Sequence, residues 1–161
     1  IRYSQLFEMN STITVFCNRG TSGIDGSTST ALGAAYATQK PTTLVTGDLS
    51  FFYDSNALWN NYIPTDVRII IINNSGGGIF KIIPGPKKSS ALEYFETPHC
   101  LTAEHLSTMF GFEYSTAHNL NSLEKEVVSF YEKSDKPKIL EIFTPSDQND
   151  LVLKAYINNL K

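Results

Sequence analysis

The sequence predicts an α/β domain of three layers, α/β/α, built on a mostly parallel sheet. Short β-branched or aliphatic runs alternate with stretches of helical composition along the whole chain. The polar, glycine-rich segments 18–26, 47–50 and 73–78 each follow a strand-like run directly. That is where ligand loops fall in parallel sheets. The length of 161 residues, with 41% hydrophobic and 18% charged side chains, suits one domain over 1–161 with its own core.

The elements follow in order. Residues 12–17 are β-branched and predict a strand. Residues 28–38, rich in Ala and Leu, predict a helix that Pro41 ends. Residues 42–46 predict a short buried strand running into Gly47-Asp48. Residues 50–60 predict a helix with Ser50 near its cap, and Pro64 closes that connection. Arg68 and the four isoleucines after it predict a strand over 68–72.

Two Asn, one Ser and three Gly over 73–78 require a turn. Residues 82–90, holding Pro84, Gly85, Pro86, Lys87 and Lys88, predict a surface loop. Residues 102–110 predict a helix with Thr102 as cap and Gly111 as stop. Residues 112–115 predict a strand. Residues 120–133 predict an amphipathic helix with Leu123, Val127, Phe130 and Tyr131 on one face. A strand over 138–143 and a helix over 147–160, capped by Ser146, complete the pattern.

Several classes of function are disfavoured. A net charge of -3 offers no electrostatic basis for a nucleic-acid or anionic-membrane partner. The longest apolar run, 67–72, contains Arg68 and is too short to cross a bilayer. No basic segment followed by an apolar stretch opens the chain, and it begins with Ile1. The expectation is a cytoplasmic protein of which this is one part. Cys17 and Cys100 are expected to be reduced. Neither they nor His99, His105 and His118 show metal-ligand spacing, so the histidines are expected to be structural or solvated.

Two segments carry chemistry. Gly47-Asp48-Leu49-Ser50 leaves a strand and opens a helix, whose free amides favour a phosphate. Asp48 would repel that phosphate unless a cation lay between them. Asn73-Asn74-Ser75-Gly76-Gly77-Gly78 offers an amide oxygen and backbone carbonyls, which with Asp48 make an all-oxygen set suited to Mg²⁺. Alone, each segment also reads as a helix cap or a plain turn. Asp48 and Asn74 lie 26 positions apart, the length of one strand–helix–strand unit, which puts them on adjacent strand ends.

Gly-Asp followed at this spacing by Asn-Asn resembles the metal-binding signature of the thiamine-diphosphate-dependent enzymes. Asn18-Arg19-Gly20-Thr21-Ser22-Gly23-Ile24-Asp25-Gly26, Gly47-Asp48-Leu49-Ser50, and Asn73-Asn74 with Gly76-Gly77 and Ile79-Phe80 resemble one branch of it. That branch is the 2-succinyl-5-enolpyruvyl-6-hydroxy-3-cyclohexene-1-carboxylate synthases of menaquinone biosynthesis. Phe95-Glu96-Thr97-Pro98-His99 also resembles it. The family often has Gly-Asp-Gly where Leu49 stands here.

The resemblance implies a transferase domain that binds thiamine diphosphate and Mg²⁺, with Mn²⁺ as the alternative ion. It implies Asp48, the Asn74 side chain and the Gly76 carbonyl as metal ligands. It implies Ser22, Ile24, Gly47, Asp48, Leu49, Ser50, Asn74, Gly76, Gly77 and Ile79 at the cofactor, with Ile24 as the wedge that keeps it bent. Arg2 and Arg19 match arginines that bind substrate carboxylates, for which a guanidinium fork is suited. Ile79 and Phe80 match apolar residues at the reacting centre.

The implied substrates are 2-oxoglutarate and isochorismate. The implied partner is the pyrimidine-binding domain of a second subunit in a homo-oligomer, which carries the activating glutamate. Glu93 and Glu96 do not match that position, so no catalytic residue is assigned in this chain and the chain alone is expected to be inactive. Another thiamine-diphosphate decarboxylase or carboligase, and a non-catalytic module binding a phosphate ligand, stay open as alternatives. A dinucleotide site does not fit, because Gly20, Gly23 and Gly26 recur at every third position.

Overall fold

Four consecutive isoleucines form the central strand, and the other elements pack around it. The computed structural model describes residues 7–18, 20, 23–83, 85 and 90–159. In order these are α1 (Ser27–Thr38), β1 (Thr42–Gly47), α2 (Asp48–Tyr53) and a 3₁₀ turn (Ser55–Trp59). Then come β2 (Val67–Asn73), a second 3₁₀ turn (Gly78–Lys81), α3 (Leu92–Glu96) and α4 (Glu104–Met109). β3 (Glu113–Ala117), α5 (Leu120–Tyr131), β4 (Lys138–Phe143) and α6 (Asn149–Asn159) complete the chain. The strands form one parallel sheet in the order β1–β2–β4–β3.

Parallel neighbours need crossovers, and these put helices on both faces. Val67, Ile69, Ile71 and Ile139 face a core shared with Leu32 and Ala35 of α1, Phe51 of α2 and Leu58. Ile70, Leu140 and Ile142 face the opposite side, against Leu123, Val127 and Phe130 of α5. Ile69, Ile71 and Ile139 are fully buried, each contributing about 2 kcal/mol. The predicted three-layer α/β fold is the one that forms. Among the described residues no helix is long and apolar enough to cross a membrane.

Arg68, the one charge in the isoleucine run, is buried and caps α5. Its guanidinium donates to the carbonyls of Phe130 (2.7 Å) and Glu132 (3.0 Å) at the end of that helix, and to those of Thr65 and Val67. Lys138 adds a bond to the Ser129 carbonyl at 2.8 Å. Cations at a helix C-terminus satisfy the last carbonyls and oppose the helix dipole.

The structure departs from the sequence expectations where tertiary partners compete. Residues 12–17 form no strand. Asn10 draws Thr12 and Ile13 into a local turn, and β propensity without a ladder partner does not hold a strand. β1 is an edge strand rather than a buried one, and its Val45 is exposed. The helix expected over 50–60 begins earlier, at Asp48, and breaks at Asp54. Asp54 instead accepts bonds from the Ser29 amide and hydroxyl, capping α1 from across the chain.

Thr102 is not the cap of α4. That helix starts two residues later, and the Ala103 amide donates to Glu141. Tyr131 is exposed rather than on the buried face of α5, which ends there and not at residue 133. β3 begins one residue later and ends two residues later than the expected 112–115. α6 begins at Asn149 after a turn, and the Ser146 carbonyl accepts from Lys81 instead.

Candidate metal and diphosphate site

The register pairs Gly47 with Ile72, so β1 and β2 end side by side. Asp48 and Asn73 therefore leave the sheet at the same level. Asp48 is 2% exposed. Its Oδ2 accepts from the Gly76 amide at 2.9 Å and the Asn74 amide at 3.2 Å. Its Oδ1 accepts from the Leu49 amide at 2.7 Å. The two motifs that lie 26 positions apart are thus joined directly, with the carboxylate as the knot.

Space requires a glycine at position 76 of the second motif, while at position 78 a side chain would have to displace the Asn74 amide. Gly76 has φ +145, and a Cβ there would lie 2.6 Å from the Glu96 carbonyl oxygen. A Cβ on Gly78 would lie 2.6 Å from Asn74 Nδ2. The Gly77 amide donates to the Glu96 carbonyl at 2.7 Å, which ties the loop to α3. Gly47 differs. It is extended (φ -89), exposed, and a Cβ on it would meet nothing within 4 Å. The fold of this chain alone does not demand a glycine there, and the bare backbone leaves that approach open.

The donor set fits a hard divalent ion. Asp48 is buried, and among the described residues no lysine or arginine pairs with it. A buried carboxylate without a cation is costly even when backbone amides serve it. A carboxylate, an amide oxygen and a carbonyl are oxygen ligands of the kind Mg²⁺ takes. Among the described residues no cluster of three or more His, Cys, Asp or Glu offers a competing metal site.

His99 lies beside Asp48, a neighbour that spacing along the sequence did not indicate. Its side chain is 10% exposed, and Nε2 lies 3.3 Å from Asp48 Oδ2. Nε2 nonetheless meets no acceptor in hydrogen-bond geometry. Nδ1 accepts from the Leu101 amide at 3.1 Å, which places the proton of a neutral ring on Nε2, toward Asp48. The Phe52 ring meets the imidazole edge-on at 5.5 Å. The stretch 95–99 carried a signal for it, but spacing among histidines alone did not. His118, by contrast, stacks on Phe143 away from Asp48. Cys17 and Cys100 form no disulfide.

The other candidates divide. Leu49 and Ser50 lie in the first turn of α2, and the Ser50 hydroxyl donates to the Ile24 carbonyl. Ile24 is 44% and Ile79 41% exposed. Phe80 packs on Phe95 at 5.4 Å. Glu96 is paired with Lys81 at 3.1 Å, and Glu93 is exposed. Arg2, Arg19 and Ser22, and Lys87 and Lys88 of the loop, lie outside the described residues.

Comparison with known proteins bears on the family and the fold. No protein-family model matches the chain. A synthase from Flavobacterium psychrophilum is 58% identical over 162 residues, covering 99% of this chain and 29% of that protein. One from Christiangramia forsetii is 56% identical over 162 residues, covering 100% and 28%. One from Bacteroides fragilis is 42% identical over 164 residues, covering 100% and 30%. All three carry the name 2-succinyl-5-enolpyruvyl-6-hydroxy-3-cyclohexene-1-carboxylate synthase.

Among solved structures, a thiamine diphosphate-dependent 4-hydroxybenzoylformate decarboxylase from Rhodococcus jostii is similar at TM-score 0.52 and 26% identity, over 71% of this chain and 22% of that one. An enzyme from Mycobacterium smegmatis described as thiamin diphosphate-dependent shares the fold at TM-score 0.52 and 20% identity, over 73% and 21%. The chain spans under a third of the curated relatives it matches, and over that span it belongs to the 2-succinyl-5-enolpyruvyl-6-hydroxy-3-cyclohexene-1-carboxylate synthase family.

Proposed function

We propose that this chain is the diphosphate- and Mg²⁺-binding domain of a thiamine-diphosphate-dependent synthase that decarboxylates 2-oxoglutarate and adds the resulting acyl unit to isochorismate. The observation that carries the reading is the buried Asp48 carboxylate. It is bonded to the Asn74 and Gly76 amides and has no lysine or arginine partner among the described residues.

In this reading Asp48, the Asn74 side chain and the Gly76 carbonyl hold Mg²⁺, or Mn²⁺ in its place. Gly47, Leu49, Ser50 and Gly77 line the approach for the diphosphate beside the first turn of α2. Ser22 lies by the pyrimidine, and Ile24 supplies the apolar wedge. Arg2 and Arg19 take the substrate carboxylates. Ile79 and Phe80 keep water from the reacting centre. Bound thiamine diphosphate supplies the electron sink that lets a 2-oxo acid lose carbon dioxide and react as an acyl anion.

No residue of this chain is assigned the activating glutamate. It is supplied by the pyrimidine-binding domain of a second subunit, so the chain alone does not turn over. The working form is a cytoplasmic homo-oligomer of the longer protein.

Calorimetric titration of thiamine diphosphate into the full-length protein, with and without Mg²⁺, tests the cofactor. Asp48→Ala is expected to weaken Mg²⁺-dependent binding by roughly 100-fold or more, since losing a group that merely orients a metal ligand already costs about 10- to 100-fold. Binding that ignores both the metal and Asp48 would end the reading. Product analysis with 2-oxoglutarate and isochorismate then tests the substrates.

A further inference from the structure

Glu141 stands alone as an acid among the apolar residues of β4, and it is 0% exposed. Among the described residues no lysine, arginine or histidine pairs with it. An apolar side chain would suit a central strand better, since burying an unpaired carboxylate is costly. What holds it is a set of three donors. Oε1 accepts from Asn73 Nδ2 at 2.7 Å. Oε2 accepts from the Ala103 amide at 2.9 Å and from the Tyr114 hydroxyl at 2.5 Å.

Asn73, 2% exposed, passes this orientation on in two directions. Its Oδ1 accepts from the Ser75 amide at 2.9 Å. Ser75 has φ +60, a left-handed conformation that a non-glycine residue adopts only when held. Ser75 separates Asn74 from Gly76, the two proposed metal ligands of the loop. The second hydrogen of Asn73 Nδ2 goes to the Leu101 carbonyl at 3.0 Å. Leu101 in turn donates to His99 Nδ1, on the ring whose Nε2 faces Asp48. Every hydrogen-bonding group of the Asn73 amide is thereby engaged, and its orientation is fixed jointly by Glu141, the Leu101 carbonyl and the Ser75 amide.

We propose that Glu141 is a positioning residue for the metal site, acting through Asn73 on the Asn74–Gly76 loop and on His99. The proposal rests on the metal-site reading given above. It explains why a carboxylate, and not its amide, occupies this place on β4. A glutamine would keep one oxygen, which the Ala103 and Tyr114 donors require. Its NH₂ would then face Asn73 Nδ2, donor against donor. Turning the Asn73 amide to relieve this would set Nδ2 against the Ser75 amide and Oδ1 against the Leu101 carbonyl.

The test is the half-saturating Mg²⁺ concentration for thiamine diphosphate binding by the full-length protein, measured by calorimetry, together with kcat at saturating Mg²⁺. Glu141→Gln and Asn73→Ala are expected to raise that concentration by about 10- to 100-fold, the usual cost of losing a group that orients a metal ligand. Saturating Mg²⁺ should restore most of kcat, since the ligands themselves remain.

The double variant Glu141→Gln with Asn73→Asp restores a donor–acceptor pair between the two side chains but sets an Asp oxygen against the Leu101 carbonyl, so it should recover only part of the affinity. Tyr114→Phe removes a bond to Glu141 without touching Asn73 and should stay within about twofold of wild type. If Glu141→Gln does not fold, Asn73→Ala and the double variant decide. Wild-type Mg²⁺ dependence in both single variants would overturn the proposal. So would a shift in Tyr114→Phe as large as in Glu141→Gln, because that would mark general loosening of the fold. An Asp48→Ala protein with unchanged Mg²⁺ dependence would instead remove the metal reading beneath it.

Discussion

Two glycine-rich segments leave the same end of this domain, and the chain treats them differently. The 73–78 loop is held from several sides: by Asp48 below, by the Glu96 carbonyl beside it, and by Asn73 from within. Gly76 has no room for a Cβ, and one on Gly78 would have to displace the Asn74 amide. The described part of the 18–26 segment touches the fold lightly. Gly23, Ile24 and Asp25 are exposed, and the Ile24 carbonyl takes a bond from Ser50. A Cβ on Gly20 would meet nothing within 4 Å. The contrast teaches that this chain builds the proposed metal end of the site from its own contacts. The described residues of the 18–26 segment, where the wedge is proposed, are held by few such contacts.

The strongest way to break the contrast is Gly76→Ala. Positive φ at that position and a backbone oxygen 2.6 Å from the new Cβ should cost about 3 kcal/mol, read as a lower denaturant midpoint. A cost below about 1 kcal/mol would show the loop to be compliant.

An intermediate effect sharpens the role of the Glu141 network. Burial, and then the bond to Glu141, push the Tyr114 phenol well above its ordinary value of 10.0. A folded value above the unfolded one means that the neutral phenol stabilises the fold at lower pH. That stability is fully present below about pH 10 and is lost as pH rises toward the higher folded value. Urea denaturation from about pH 9 to 11 should therefore show wild type losing stability relative to Tyr114→Phe. Parallel curves for the two proteins would exclude the linkage.

The smallest effects belong to the open segment. Ile24→Ala and Gly47→Ala should each change stability by less than about 0.5 kcal/mol, because one side chain is largely exposed and the other would enter open space. Both should nevertheless weaken thiamine diphosphate binding or turnover in the full-length protein. Destabilisation of a kcal/mol or more would place these residues in this domain's own framework.

Much of this was legible in the sequence. The isoleucine run, the breaker at Pro41 and the spacing from Asp48 to Asn74 depend on local chemistry and on the length of one crossover, so they locate β2 and the paired strand ends correctly. The misses share a different character. Residues 12–17 have the composition of a strand but no partner to form a ladder with. Thr102 is a good cap by type, yet Glu141, distant in sequence, serves that helix terminus. His99 shows no metal-ligand spacing with the other histidines, because what it approaches is Asp48, 51 positions earlier.

By itself, then, the sequence determined the parallel α/β layering and the two motifs that meet at the strand ends. Periodicity, glycine and proline act on near neighbours and leave their mark in order along the chain. Only the tertiary structure decided which buried polar groups satisfy one another. Arg68 with the carbonyls of α5, Asp54 with Ser29, and Glu141 with Asn73 are such pairs. A buried donor or acceptor must find a partner wherever the fold supplies one, and that choice is made by distance in space rather than along the chain.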